Sequence, residues 1–284
     1  MAYENYTKTS QNYDLTRRPI GVEILLGCFA TLGQPLSELV VLDAGCGTGS
    51  YSLALLPHIG RIEGVDVNVA MFERARQKAA ALRISPDRFL LHEARIEQLP
   101  FTAGHFDAVM VNQVLHHLDD DAAHGFPRHR AALKELARVV RPGGVLVINI
   151  CSTAQLEDAW WYRELFANAY QRCEQRHIPL SVLATLLAEC GFTHRGNIVP
   201  TDAVMQGDSY WDGTGPLRKE WRDGDSVFAL STEQELEQAC SQIRQLEQAG
   251  TLTDYVAKQD VRRREIGQVT FVHAVRLPSD RDNI

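Results

Sequence analysis

A glycine-rich turn directly after an apolar run is the feature of this 284-residue chain best suited to bind a ligand. The run from Leu39 to Leu42 ends at Asp43, and glycines follow at positions 45, 47 and 49. Glycine lets the backbone approach a ligand closely, and the start of the next helix offers unpaired N–H groups. Asp66 ends the next predicted strand, and a carboxylate there can accept hydrogen bonds from both hydroxyls of a ribose.

The spacing of these glycines separates the turn from two other nucleotide-binding motifs. The dinucleotide motif G-x-G-x-x-G requires its third glycine at the position of Ser50. A phosphate-binding P-loop requires Gly-Lys-Ser or Gly-Lys-Thr, which this turn lacks. An NAD-dependent dehydrogenase is therefore a disfavoured alternative.

Apolar runs alternate with amphipathic segments along the chain. We expect strands at 39–42, 61–65, 88–91, 106–111, 145–150, 192–199 and 268–276. We expect helices at 50–58, 70–82, 128–140, 156–176, 180–189 and 232–248, and a loop at 206–230. Such alternation is typical of βαβ units. It predicts a doubly wound, mostly parallel seven-stranded α/β sheet with helices on both faces, whose ligands bind at the carboxyl ends of the strands.

Residues 39–150 carry a series of short motifs. These are Val41–Gly49, Gly64–Asp66, Leu99–Phe101, Phe106–Val109, Val114–Leu118 and Arg141–Gly144. With them the chain resembles the class I methyltransferases that use S-adenosylmethionine (SAM), and in particular the small-molecule branch that includes ubiquinone and menaquinone biosynthesis methyltransferases. The resemblance implies a Rossmann-like fold, SAM as cofactor, and methyl transfer to a small-molecule acceptor at O, N, S or C. The alternative is a SAM-binding protein of the same fold with other chemistry, such as SAM-dependent cyclisation.

The resemblance also implies which residues hold the cofactor. From the methionine end to the adenine end they are Asp43, Gly45, Gly47, Asn112, Asp66, Val67 and Met71. Asp43 would place the ammonium group, Asn112 would lie near the sulfonium, and Asp66 would bind the ribose hydroxyls. Either Val67 or Met71 would pack on the adenine ring.

The adenine end departs from the family pattern. Arg95 stands where related sequences have an aspartate that accepts a hydrogen bond from the adenine amine, and an arginine has no acceptor atom. Glu93 or Glu97 would then be the acceptor, or adenine binding is weaker. The backbone N–H of Ile96 still suits adenine N1.

Other side chains are candidates for assisting the reaction. His116 and His117 follow the fourth strand, and one of them would act as a base, unless the pair only packs or caps a helix. Tyr13 and Arg17 would bind the cofactor from an N-terminal lid, unless this segment is an ordinary amphipathic one. Aromatic residues would line an acceptor pocket or belong to the core; they are Trp160, Trp161, Tyr162, Phe166 and Tyr170.

Composition narrows the class of partner. A net charge of −7 gives no basic field for a phosphate backbone, so we expect no nucleic acid. The Arg262–Arg264 run is expected to be a solvated face. The cysteine spacing supports neither a metal site nor disulfides, and no apolar stretch is long enough for a membrane helix. We therefore expect a cytoplasmic protein without membrane attachment, and leave its oligomeric state open.

These patterns divide the chain into three parts. We expect residues 1–35 to form an N-terminal helical lid segment and residues 36–150 to form the SAM-binding core. Residues 151–284 would complete the sheet and supply helical and loop insertions on the substrate side.

Overall fold

The computed structural model describes residues 14, 16–118, 120 and 122–278, and these group into two compact units. The first, here called the sheet unit, comprises the described residues of Gly21–Ile150, Ile178–Ile198 and the stretch from Thr270 to residue 278. The second, here called the helical unit, comprises the described residues up to Ile20, Cys151–His177 and Val199–Val269. The assignment of 1–35 to a lid and of 151–284 to a substrate side stays a prediction.

The sheet unit contains one seven-stranded sheet. Its strands are β1 (Val40–Ala44), β2 (Arg61–Asp66), β3 (Phe89–Glu93), β4 (Phe106–Asn112), β5 (Val140–Ile150), β6 (Phe192–Ile198) and β7 (Thr270–Arg276). They lie in the order β3-β2-β1-β4-β5-β7-β6. The pairs from β3 to β5 are parallel, whereas β7 runs antiparallel to both β5 and β6. The prediction of a mostly parallel, seven-stranded sheet is confirmed.

Helices fill both units. In chain order they are α1 (Val22–Ala30), α2 (Ser50–Leu55), α3 (Val69–Ala81), α4 (Pro127–Val139), α5 (Thr153–Asp158), α6 (Ala167–Glu174), α7 (Leu180–Glu189), α8 (Lys219–Arg222), α9 (Ser226–Ala229), α10 (Glu233–Gln248), α11 (Leu252–Gln259) and α12 (Arg263–Ile266). Of these, α1 to α4 and α7 belong to the sheet unit. None of the helices in the described part of the chain combines the length and apolarity needed to span a membrane.

The central strands are apolar because both of their faces are covered. In β1, the residues from Val41 to Ala44 are all buried, and β4 is buried from Ala108 to Val111. Their side chains share one core with α4, α7 and β6, through residues such as Leu133 and Leu187. Parallel strands covered in this way read as continuous apolar runs, which is why the sequence located them closely.

Strand β5 begins earlier than predicted. We expected Arg141–Gly144 to form a turn before a strand at 145–150, but the strand starts at Val140. Its pairing with β4 jumps from Phe106–Val140 to Ala108–Val145, so the turn-forming residues bulge out within the strand.

The predicted single helix over 156–176 is wrong. Instead α5 ends at Asp158, and Trp160, Trp161 and Tyr162 lie in an irregular segment before α6. All three side chains are buried. Successive residues of a helix point in directions about 100° apart, so a helix could not bury three in a row against one surface. The predicted loop at 206–230 also contains the short helices α8 and α9.

The expectation that Arg262–Arg264 forms a solvated face is wrong for its central residue. Arg263 is only 4% exposed, and its guanidinium donates to both carboxylate oxygens of the buried Asp260, at 2.6 and 3.0 Å. It also lies over the rings of Tyr210 and Trp211, at 5.9 and 5.5 Å. Helical periodicity turns one arginine of the run inward and leaves Arg262 outside.

This buried ion pair generates a stability prediction. Arg263→Met leaves the buried Asp260 with only the exposed Arg264, 3.3 Å away, as a charged partner, and we expect the helical unit to lose about 3 kcal/mol of unfolding free energy. Arg262→Met, one residue away and on the exposed face, is the matched control and should change little. All four tryptophans lie in the helical unit, so urea unfolding followed by tryptophan fluorescence measures it selectively. Equal midpoints for the two variants would contradict the prediction.

Candidate functional site

The glycine-rich turn joins β1 to α2 at the carboxyl edge of the sheet. The backbone N–H groups of Gly45 and Cys46 donate to the carbonyl of Val65 on β2, at 2.8 and 2.9 Å. Gly45 has a φ of +86°, and a Cβ there would lie 2.3 Å from Cγ2 of Val114. A Cβ on Gly47 would meet no atom within 4 Å. The turn is thus packed tightly on one side at Gly45, while Gly47 borders open space.

Asp66 ties this turn to the end of β2. Its Oδ2 accepts a hydrogen bond from the N–H of Gly47 at 2.9 Å, and its Oδ1 accepts from the N–H of Asn68 at 2.8 Å. Burial raises the pKa of Asp66, and these backbone hydrogen bonds offset part of that rise. The carboxylate predicted to bind ribose therefore also fixes the backbone that would face the ligand.

Lys78 holds the far side of the turn. From α3, its Nζ donates to Oγ1 of Thr48 at 3.1 Å and to Oγ of Ser50 at 2.8 Å. The sequence analysis missed this residue. The only signal was its position on the helix that follows Asp66, and such a position does not show which way a flexible lysine extends.

Asp43 is the most unusual group at this edge. It is 1% exposed, its Oδ2 accepts from Oγ of Ser52 at 2.7 Å, and its Oδ1 has no hydrogen-bond partner among the described residues. Both amide atoms of Asn112, at the end of β4, are likewise buried without a partner of normal geometry in the described chain. Buried polar groups are nearly always hydrogen-bonded, so the arrangement points to a ligand that donates here.

The electrostatics of Asp43 support the same conclusion. Burial raises its pKa to about 7, and the negative charge of Asp66 adds to the rise. Ser52 and Asn112 lower it, but by less. A carboxyl group in this state gains most from a cationic donor that restores its charge.

A chain of side-chain amides crosses the same edge between β4 and β5. Nε2 of Gln113 donates to Oδ1 of Asn149 at 2.9 Å, and Nδ2 of Asn149 donates to Oη of Tyr51 on α2 at 2.9 Å. Gln113 has a φ of +55°, a strained value that clusters at functional sites. The sequence analysis missed this chain because its members come from three separate segments.

The two candidate histidines lie on a short 3₁₀ turn, Leu115–His117, directly after β4. Their ring centroids are 4.0 Å apart, with His116 buried and His117 half-buried. The preceding residue, Val114, is the one that packs against Gly45. The structure therefore brings the pair to the same edge as the glycine-rich turn.

The residues predicted for the adenine end lie around the ends of β2 and β3. Val67 is 61% exposed, whereas Met71 and Ile96 are buried. The side chain of Arg95 is 59% exposed and lies 3.3 Å from Oε1 of Glu97. Exposed apolar surface is thus present at Val67 and not at Met71.

The two predicted lid residues are not placed at this site. Tyr13 lies outside the described residues. Arg17 belongs to the helical unit, where its Nη2 lies 3.2 Å from Oδ1 of Asp225 and its Nε donates to the carbonyl of Gly224. A role for either residue in cofactor binding stays a prediction.

Asp43 generates a prediction about the free protein. Its pKa in the folded state, about 7, exceeds its ordinary value of 3.8, so the folded state binds the extra proton and loses stability as pH rises from about 4 to about 7. Asp43→Asn removes this loss. The stability of the variant relative to wild type should therefore increase by up to about 3 kcal/mol between pH 5 and pH 8. Hydrogen exchange of β1 and β4 peptides measures it.

Asp107 supplies the control for this prediction. Although burial raises its pKa, the N–H of Val40 and the guanidinium of Arg141 bring it below 3.8. Its contribution is present above pH 4 and is lost only at lower pH. Asp107→Asn should therefore differ from wild type by the same amount at pH 5 and pH 8. A similarly flat result for Asp43→Asn would show that its carboxyl is not protonated near neutrality.

Comparison with known proteins agrees with this geometry. A family model described as "Methyltransferase domain" matches residues 42–148. The demethylmenaquinone methyltransferase of Lactiplantibacillus plantarum is 31% identical over 177 residues, which are 55% of this chain and 71% of that protein. An uncharacterized methyltransferase of Mycobacterium bovis is 34% identical over 128 residues, 45% of this chain. The chain spans 58% of the length of that mycobacterial relative.

A solved structure extends the likeness over most of the chain. A putative methyltransferase from an antibiotic biosynthesis pathway of Anabaena variabilis has a TM-score of 0.70 at 20% identity. The match covers 91% of this chain and 98% of that one. At this identity the likeness establishes the fold, while the more similar relatives establish the family. The chain belongs to the SAM-dependent methyltransferases.

Proposed function

We propose that this protein transfers the methyl group of SAM to a small-molecule acceptor, with the cofactor held at the carboxyl edge of the sheet. The observation that carries the proposal is the buried Asp43 carboxyl, whose Oδ1 lacks a hydrogen-bond partner of normal geometry in the described chain although Asn112 lies close enough to lower its pKa. The methionine end of SAM carries an ammonium group that would satisfy such a carboxyl. Bound SAM supplies an activated methyl group on a sulfonium.

Three residues would hold the methionine end. Asp43 would accept from the ammonium group and recover its charge in doing so. Gly47, which borders open space, would let the backbone approach the ligand, and Gly45 would keep the turn in place against Val114. Asn112 would orient the region nearest to the sulfonium through its unsatisfied amide.

Asp66 and Val67 would hold the nucleoside end. Each oxygen of the Asp66 carboxylate accepts one backbone N–H and keeps capacity for a ribose hydroxyl. Val67 presents exposed apolar surface against which the adenine ring would pack, and the backbone N–H of Ile96 would serve adenine N1. Met71 is buried in α3 and would support the site only from beneath.

Charge and cysteine state support the class of acceptor and the compartment. The net charge of −7 disfavours a nucleic-acid acceptor, which agrees with a small-molecule acceptor. All six cysteines are buried and unbridged, which agrees with a reducing compartment such as the cytoplasm.

Calorimetric titration tests cofactor binding. We expect wild-type protein to bind SAM and S-adenosylhomocysteine, and not NAD, because the turn lacks the third glycine of the dinucleotide motif. Asp43→Asn should weaken binding at least tenfold, since the ammonium group loses a charged acceptor. An absence of heat with SAM would overturn the proposal.

Incubation with methyl-labelled SAM and a metabolite extract tests the transfer itself. Label should appear in a small-molecule product, and at SAM concentrations below its dissociation constant Asp43→Asn should form this product at least tenfold more slowly than wild type. The protein could instead bind SAM and form no labelled product while an extract component is cyclised or otherwise converted. That result would favour SAM-dependent chemistry of another kind.

We also propose His117 as the base for acceptors that carry a proton, with His116 as the buried neighbour that supports its ring. General-base assistance contributes about 10²–10⁴-fold. His117→Ala should therefore slow labelled-product formation at pH 7 by about 100-fold and remove the dependence of the rate on pH between 6 and 8. SAM binding should be retained.

His124 provides the control for the histidine test, because it is exposed on the stretch that follows the pair. His124→Ala should keep both the rate and its pH dependence. Unchanged turnover across pH in His117→Ala would assign the pair a packing role only.

A further inference from the structure

The end of β3 places a carboxylate beside the residue proposed to bind ribose. Glu93 is the last residue of β3 and is in register with Asp66, the last residue of β2. The N–H of Ala94 donates to the carbonyl of Asp66 at 3.2 Å, so the two chains stay adjacent past the strand ends. Registered residues of neighbouring parallel strands project to the same face of the sheet. The side chain of Glu93 therefore leaves the sheet on the same face as that of Asp66, on the neighbouring strand at the sheet edge.

Arg95 is unsuited to the role that its sequence position implies. A guanidinium carries only donors, and the adenine amine is itself a donor at this edge. The Arg95 side chain is 59% exposed and lies 3.3 Å from Oε1 of Glu97. Its positive charge would face the amine without any favourable hydrogen bond.

Glu97 is engaged elsewhere. Its Oε1 accepts from Nη2 and Nε of Arg128 on α4, at 2.5 and 3.0 Å. Although burial raises the pKa of Glu97, the hydrogen bonds and charge of Arg128 lower it overall. This carboxylate is thus fixed as the partner of α4, and moving it toward a ligand would break that ion pair.

We propose that Glu93 accepts the hydrogen bond from the exocyclic amine of adenine and is the residue by which this chain distinguishes adenine from a purine that lacks this amine. The inference rests on the proposed function. Glu93 is exposed, and it is free of the arginine contacts that hold Glu97. The assignment gives the nucleoside two carboxylates on adjacent strands, Asp66 for the ribose and Glu93 for the base.

The chemistry predicts a specific selectivity. An amine donates to the Glu93 carboxylate, whereas a purine with hydrogen at this position offers it no donor. A site built around a donor rejects the analogue that lacks it, because its acceptor is then left unpaired. The exposure of Glu93 limits the effect, and we expect a preference of about tenfold.

Calorimetry with two ligands tests the proposal on the full chain. S-adenosylhomocysteine and its 6-deamino analogue, in which a hydrogen replaces the adenine amine, differ only at that amine and keep N1 as an acceptor. Wild type should bind the first about tenfold more tightly. Glu93→Leu should reduce this ratio to nearly one by weakening the first ligand. Glu93→Gln, which keeps an acceptor oxygen, should retain part of the preference.

Two further variants sharpen the result. Glu73→Leu makes the same change on the exposed face of α3 and should keep the tenfold ratio. Arg95→Asp restores an acceptor at the family position, so Glu93→Leu combined with Arg95→Asp should regain the preference that Glu93→Leu loses.

The outcomes separate the two proposals. A tenfold ratio that survives in Glu93→Leu would overturn the role of Glu93 while leaving SAM binding intact. Wild-type binding of both ligands with equal affinity would do the same. Failure of wild type to bind S-adenosylhomocysteine at all would overturn the proposed function, and the inference with it.

Discussion

The burial of the Asp43 carboxyl is the constraint on which the site depends. A carboxyl group at the end of a central strand, 1% exposed and with its pKa near 7, is stable only if its surroundings supply donors. Ser52, in the first turn of α2, supplies one, and Asn112 of β4 lies nearby with an unsatisfied amide. A cationic group of a bound ligand would meet the remaining demand. The free protein therefore carries a local cost that binding would relieve.

The glycine-rich turn can serve this carboxyl because it is braced from two directions. Asp66 holds the backbone at Gly47, and Lys78 holds the side chains of Thr48 and Ser50. Parallel strands end at a common edge of the sheet, so Asp66 at the end of β2 and Lys78 on the following helix, α3, both reach the turn after β1. A turn with such high glycine content would otherwise lose much conformational entropy on ordering. Because the hydrogen bonds from Asp66 and Lys78 already order the turn in the folded protein, this entropy is lost on folding and not on ligand binding.

The sequence was most informative where structure is set by local pattern. The central strands β1 and β4 are buried on both faces, so their apolar runs mark them directly, and the motifs place Asp43 and Asp66 near the ends of β1 and β2. It was least informative where distant segments meet. Arg263 lies over the ring of Tyr210, and Asn149 joins Gln113 to Tyr51; neither contact has a periodic signature. The helix predicted for the aromatic segment after α5 was wrong for a related reason, because consecutive residues of this segment are buried and do not follow a helical pattern.

The adenine end shows how a family position can change while its chemistry is preserved. Arg95 removes an acceptor, but it forms an ion pair with Glu97, which itself is bound to Arg128 on α4. The loop after β3 thereby gains a charged network that a shorter aspartate at position 95 would not complete. An acceptor for the base must then come from a neighbour that this network leaves free. Glu93 meets that requirement because the β2–β3 register fixes its backbone beside Asp66, independently of the loop. The exchange moves base recognition from a loop to a strand end, where the sheet holds it in position.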